Sequence, residues 1–220
     1  MKKLITLTIL LISIQSVYSQ NIVDFFYSIP EKYVDNLSYI ERRNLIENKT
    51  LEKDDMLYSL SYDLPNGYLK FEQSYTEGQS GYGIYEMTYW NLKNKKLIAV
   101  SNIMGSNGGF HQNDFKFFEY ENENLSEIRN GYLKSYTSNF DVFINNLITE
   151  FTKKDVSQSD KENLRFAQFT IDLPQKGKNI SVSFKEGFPM SSSYFDETYS
   201  KFLKLREKTF VFNPENEIFE

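Results

Sequence analysis

One histidine, thirty carboxylates and no cysteine limit the chemistry open to this 220-residue chain. His111 is the only histidine, so a zinc site built on two or more His or Cys ligands is out of reach. Thiol nucleophiles and iron–sulfur clusters are excluded with the cysteines. A Ser-His-Asp triad would have to use His111, yet the chain has no Gly-x-Ser-x-Gly elbow. Glycoside hydrolysis needs only two carboxylates flanking a cleft. Glu86 is the best single candidate, because it shares a strand face with Ile84 and Trp90. Glu119, Glu121 and Glu123 alternate at a strand end and read as a solvated edge that resists aggregation. Gly105-Ser106-Asn107-Gly108-Gly109 lacks the Lys-Ser/Thr ending and following helix of a phosphate loop, and reads as a wide hairpin connection. No calcium-loop pattern occurs, and Ser159-Asp160-Lys161-Glu162 reads as a helix start. No cofactor and no metal are expected.

Contact is the other chemistry these residues suit. Tyr and Phe number 16 and 19, and aromatic side chains favour pleated, half-buried surfaces. Two Gly-rich loops, 76–83 and 105–109, lie between strand-like segments, where binding residues concentrate. Tyr82, Tyr85, Trp90, Asn107 and His111 are therefore the expected ligand-contacting residues.

The elements that must position them follow from periodicity. Residues 21–48 read as helical after Pro30, which suits a first helical turn. Ser38 and Glu41 form a capping box inside that stretch, so two short helices, or one kinked near Asn36-Leu37, are expected. From Met56 the period becomes two, with Met56, Tyr58, Leu60 and Tyr62 on one face. Asn66-Gly67 is a strong two-residue hairpin signal, and the strand returns through 68–75. Segment 84–92 is apolar on both faces, as a central strand should be. Segments 97–104 and 115–120 continue an antiparallel meander, with a weaker strand near 125–128. Phe140, Phe143, Ile144, Leu147, Ile148 and Phe151 form a continuous helical stripe. Segments 165–173 and 179–184 form a hairpin around Pro174-Gln175-Lys176-Gly177. The tail reads either as a helix through Phe195, Tyr199 and Phe202 or as a hairpin within 203–212, with a strand at 209–212 preferred. Asp63-Leu64-Pro65 and Asp172-Leu173-Pro174 each close a strand, which suggests a weak internal repeat relating 30–75 and 139–184. Asn66 to Lys70 also recurs at Asn130 to Lys134, out of that frame.

The first 19 residues read as an address. Lys2 and Lys3 precede an apolar run from Leu4 to Ile14, and Val17-Tyr18-Ser19 supplies a cleavage site. The run is shorter than the roughly 20 residues that span a bilayer. The expectation is a soluble chain cleaved near Ser19, periplasmic or extracellular, without membrane insertion. Its 20–220 segment should form a single domain. Loss of Lys2 and Lys3 moves the net charge from −5 to −7. No basic cluster offsets it, which argues against nucleic acid.

Phe25 to Pro30, then Leu37-Ser38, then Arg43-Asn44-Leu45-Ile46-Glu47 is similar to the opening of an uncharacterised family of exported bacterial proteins. Ile29, Ser38 and Glu47 stand where that pattern has Met, Thr and Asp. The resemblance covers about 25 residues and a general plan of helix followed by β-meander; it implies export and transfers no site.

These readings converge on an α+β fold: an antiparallel meander of five or more strands, with helix 140–151 across one face. The first helices are expected on that same face or at one end. The expected function is a non-enzymatic exported binding module for a protein, peptide or glycan. A carboxylate-dependent hydrolase and a carrier of an apolar ligand remain open alternatives.

Overall fold

A computed structural model describes residues 20–77, 81–106, 109–184 and 192–220. Its centre is a seven-stranded antiparallel meander in sequence order. The strands are β1 (Thr50–Lys53), β2 (Met56–Asp63), β3 (Tyr68–Tyr75), β4 (Tyr82–Asn91), β5 (Lys96–Ser106), β6 (Gly109–Glu121) and β7 (Asn124–Glu127). The fold class is α+β, as the patterning indicated.

Two helices cover one face. α1 (Ile22–Ser28) opens with a capping box, in which Asn21 accepts from the Val23 N–H at 2.8 Å and Asp24 accepts from the Asn21 N–H at 2.8 Å. α2 (Tyr39–Asn48) opens with the Ser38–Glu41 box. The stretch after Pro30 holds two short helical pieces rather than one kinked helix. Pro30 leads a single 3-10 turn (Glu31–Tyr33), and positive φ at Asp35 and Asn36 breaks the chain before Ser38. Arg42 ties the pair together from inside the core, donating to Phe26 O at 2.6 Å and Ile29 O at 2.7 Å. Phe25, Phe26, Ile29 and Leu45 pack on Leu69, Phe71, Tyr85, Met87, Ile98 and Phe118. Each fully buried side chain of this kind contributes roughly 1.5–3 kcal/mol.

The opposite face carries the described residues after β7. There lie β8 (Asn130–Gly131), β9 (Leu133–Thr137), α3 (Phe140–Phe151) and α4 (Gln158–Arg165). They are followed by β10 (Phe169–Asp172), β11 (Ile180–Phe184), α5 (Ser192–Thr198), β12 (Glu207–Phe210), β13 (Phe212–Asn213) and β14 (Ile218–Phe219). The apolar stripe of α3 reaches the sheet through Phe143, whose ring lies 5.6 Å from Phe115. The first helices therefore sit on the face away from α3, a correction to the expected common face. The cause is visible in β6, where neighbouring Phe117 and Phe118 point to opposite sides and each needs cover.

β10, β11 and β12 form a second, three-stranded sheet; β13, β14, β9 and β8 form a third. The Asp-Leu-Pro segments thus close strands of different sheets, β2 in the meander and β10 in the second sheet. The tail contains a helix, α5, and then a strand, β12, which pairs with β11 instead of closing the expected hairpin within 203–212. Two further differences concern turns. Asp63 pairs with Tyr68, so the β2–β3 connection is the four residues 64–67 rather than two. Pro65 starts that turn, and Gly67 N–H donates to Leu64 O at 3.2 Å. β1 was not read from the sequence, because its hairpin turns on Asp54 and Asp55 at positive φ without a glycine.

Candidate functional site

The expected contact residues separate into a core group and a sheet-end group. Glu86 points from β4 into the layer after β7 and is 9% exposed. Its Oε1 accepts from Tyr68 Oη at 2.6 Å and its Oε2 from the Leu173 N–H at 3.1 Å. Burial pushes its carboxyl above the ordinary range, and the nearby Asp172 charge adds to the rise, against those two hydrogen bonds. Two neighbours on the same face act similarly. Ser101 Oγ donates to Ile171 O at 2.8 Å, and Gln112 Oε1 accepts from the Ile171 N–H at 2.7 Å. A bulge between Asn102 and Ile103 brings Gln112 into position. Ile171 and Leu173 present the edge of β10 that faces away from β11. Three side chains of the meander therefore satisfy a buried strand edge that no strand among the described residues covers.

Tyr85 and Trp90 belong to the two cores. Tyr85 is 1% exposed and stacks on Phe71 at 4.6 Å. Trp90 is 3% exposed, and its Nε1 donates to Lys178 O at 2.9 Å. Both faces of β4 are covered, so both rings serve packing. Tyr82 and His111 sit half-buried at the end of the sheet where β4 begins and β5 turns into β6. Tyr82 meets Phe110 edge-on at 5.5 Å, and its hydroxyl engages Glu72. His111 lies edge-on to Phe166 at 5.3 Å. Burial, then the charge of Arg165, hold its imidazole below the usual value. Asn107 lies outside the described residues. In the Gly-rich connection before β4, Gly81 lies beneath the Tyr75 ring, which packs where a Cβ would otherwise stand.

An apolar recess lies elsewhere, where β8, β9 and β14 meet. Its volume is about 520 Å³, it opens to solvent, and Gly131, Tyr132, Leu133, Tyr136, Ile218 and Phe219 line it. β14 pairs with β9 in parallel, placing Phe219 beside Leu133. Behind it the Phe219 ring stacks on Phe117 at 6.0 Å and meets Trp90 edge-on at 5.0 Å. A strained hairpin forms the rim. Gly131 has φ +109 and Tyr132 has φ +61, a conformation that costs a bulky residue on the order of 1–3 kcal/mol. The surroundings hold Tyr132 there. Its hydroxyl donates to Glu119, its carbonyl accepts from the Phe219 N–H at 2.6 Å, and Lys95 pairs with Glu119 at 2.7 Å. Burial, then the bond to Glu119, push the Tyr132 phenol up to about 12. Sequence reasoning missed this site. Its one signal was the second Asn-Gly-Tyr-Leu-Lys, whose Asn-Gly sits at a bulged hairpin rather than inside a regular turn.

Chemically the recess offers apolar walls, two tyrosines and, at its margin, one charge of each sign from Lys134 and Glu220. Among the described residues no three His, Asp or Glu side chains come together as a metal site would require, and no helix is long and apolar enough to cross a membrane. Comparison with protein-family models, with curated proteins and with solved structures returned no match.

Proposed function

We propose that this chain is an exported, non-enzymatic binding module that takes an apolar side chain of a protein or peptide partner into the β8–β9–β14 recess. One observation carries the reading: an open apolar recess of about 520 Å³, within the roughly 300–1,000 Å³ usual for binding sites, rimmed by a strained tyrosine. Its openness favours a partner's side chain over the enclosed cargo of a carrier. Export rests on the cationic, apolar and small-residue pattern of residues 1–19. The commitment of both Glu86 oxygens to the protein's own groups favours binding over hydrolysis.

Capture experiments with residues 20–220 against envelope and culture-supernatant fractions test this. Ile218 lines the recess and is 37% exposed, so Ile218→Asp should leave the melting temperature nearly unchanged. It should reduce capture of the partner at least tenfold. Equal capture by the variant and the parent protein would sink the recess as the contact site.

A further inference from the structure

A second site of different chemistry lies where the two Asp-Leu-Pro turns meet. The turn from β2 to β3 and the turn from β10 to β11 are far apart in sequence. Glu86 holds one end of the second turn through the Leu173 N–H, and Trp90 holds the other through Lys178 O. Asp63 is close enough to Lys176 to be stabilised by its charge. Between the turns is a cleft of about 230 Å³, lined by Pro65, Asn66, Tyr89, Asn91, Gly177 and Lys178 among others. At about 30 Å³ per water it has room for seven or eight waters, the scale of one sugar ring and too small for a folded peptide.

The polar groups suit hydroxyls. Asn66 uses its Nδ2 on Asp63 at 2.7 Å, and its backbone N–H donates to the same carboxylate at 3.1 Å. Asn91 Oδ1 accepts from Lys96 Nζ at 2.8 Å. Both amides are thereby oriented, and the atoms left over are an acceptor, Asn66 Oδ1, and a donor, Asn91 Nδ2. Neighbouring hydroxyls on a ring satisfy one of each. Pro65 and Tyr89 add apolar surface for the ring's C–H face, and a side chain at Gly177 would meet nothing within 4 Å. Lys178 adds one positive charge.

We propose that this cleft binds a single sugar ring, free or at the end of a glycan, and prefers one bearing a carboxylate. No residue lines both the cleft and the recess, so either proposal can fail without the other.

Trp90 is the only tryptophan and lines the cleft, so its fluorescence reports binding directly. Titrating residues 20–220 with glucose and with glucuronate should give saturable changes, tighter for glucuronate. Asn91→Ala should weaken both at least fivefold. Lys178→Gln, on an exposed turn, should narrow the preference for glucuronate over glucose at least threefold, the Lys96 ammonium on Asn91 remaining. Ile218→Asp should leave both titrations unchanged, which separates this cleft from the recess. Absence of a saturable change with either sugar up to about 50 mM, beyond which an affinity would carry under ~2 kcal/mol, overturns the proposal. So does an unchanged glucuronate preference in Lys178→Gln. A glucuronate-terminated oligosaccharide binding more tightly than free glucuronate would assign the site to glycan ends, and equal affinity would assign it to the free sugar.

Discussion

The two faces of the meander are covered by different physics. Toward α1 and α2 the contact is aromatic and aliphatic, with Phe26, Phe71 and Tyr85 in mutual ring contact and Arg42 joining the helices to each other. Toward the chain after β7, apolar packing through Phe115, Phe117 and Phe143 is supplemented by polar anchors. Ser101 and Gln112 bond the backbone of β10, and Glu86 and Trp90 bond the two ends of the following turn. A sealed apolar layer leaves little room for a ligand. A layer of small sheets hung from discrete hydrogen bonds leaves gaps between its pieces, and both proposed sites lie in such gaps.

The contrast can be broken most forcefully at Gln112. Gln112→Ala leaves the buried Ile171 N–H without an acceptor and frees Asn102 O and Asp114 O, each held by Gln112 Nε2 at 3.1 and 2.7 Å. At about 1–3 kcal/mol for an unsatisfied buried group, the expected loss is about 2–4 kcal/mol in urea unfolding. Hydrogen exchange should speed up at Ile171 and Leu173 well before the amides of α1 and α2 respond. Uniform acceleration on both faces would mean the second layer is not separately anchored.

A smaller effect sharpens the comparison at Glu86. Burial raises its folded-state pKa above the ordinary 4.5, so the folded protein holds this proton to higher pH than the unfolded chain does. Stability from this group is full below about 4.5 and falls as pH rises through the window up to the raised value. Glu86→Gln can still accept from the Leu173 N–H and can donate to Tyr68 Oη, without an ionisable group. The stability of Glu86→Gln relative to the parent should therefore climb between pH 4 and pH 8, measured by urea unfolding. A flat difference would show that Glu86 is not buried as described.

Much of this architecture was legible in the residues. The α3 stripe, the Ser38–Glu41 box and the alternation in β2 name their elements because each buries one face against one neighbour. Other features depend on distant partners. Gln112 looks like an ordinary strand amide until β10, nearly sixty residues later, arrives with unpaired backbone. Tyr132 adopts a left-handed conformation because Glu119 and Phe219 hold it there, which no local propensity encodes. Tyr85 and Trp90 were expected to contact ligand because aromatic strands can serve either surfaces or cores. Cover on both faces of β4 buries both rings in the cores, with Trp90 alone also reaching the wall of the cleft. The sites lie where separate segments meet, and spacing within one segment carries no trace of that.

Hydrogen exchange of the 20–220 protein, alone and with its captured partner, locates the contact surface. New protection should be confined to 130–136 and 218–220, around the recess. Protection centred instead on Tyr82, His111 and Phe166 at the far end of the sheet would contradict the recess as the contact site.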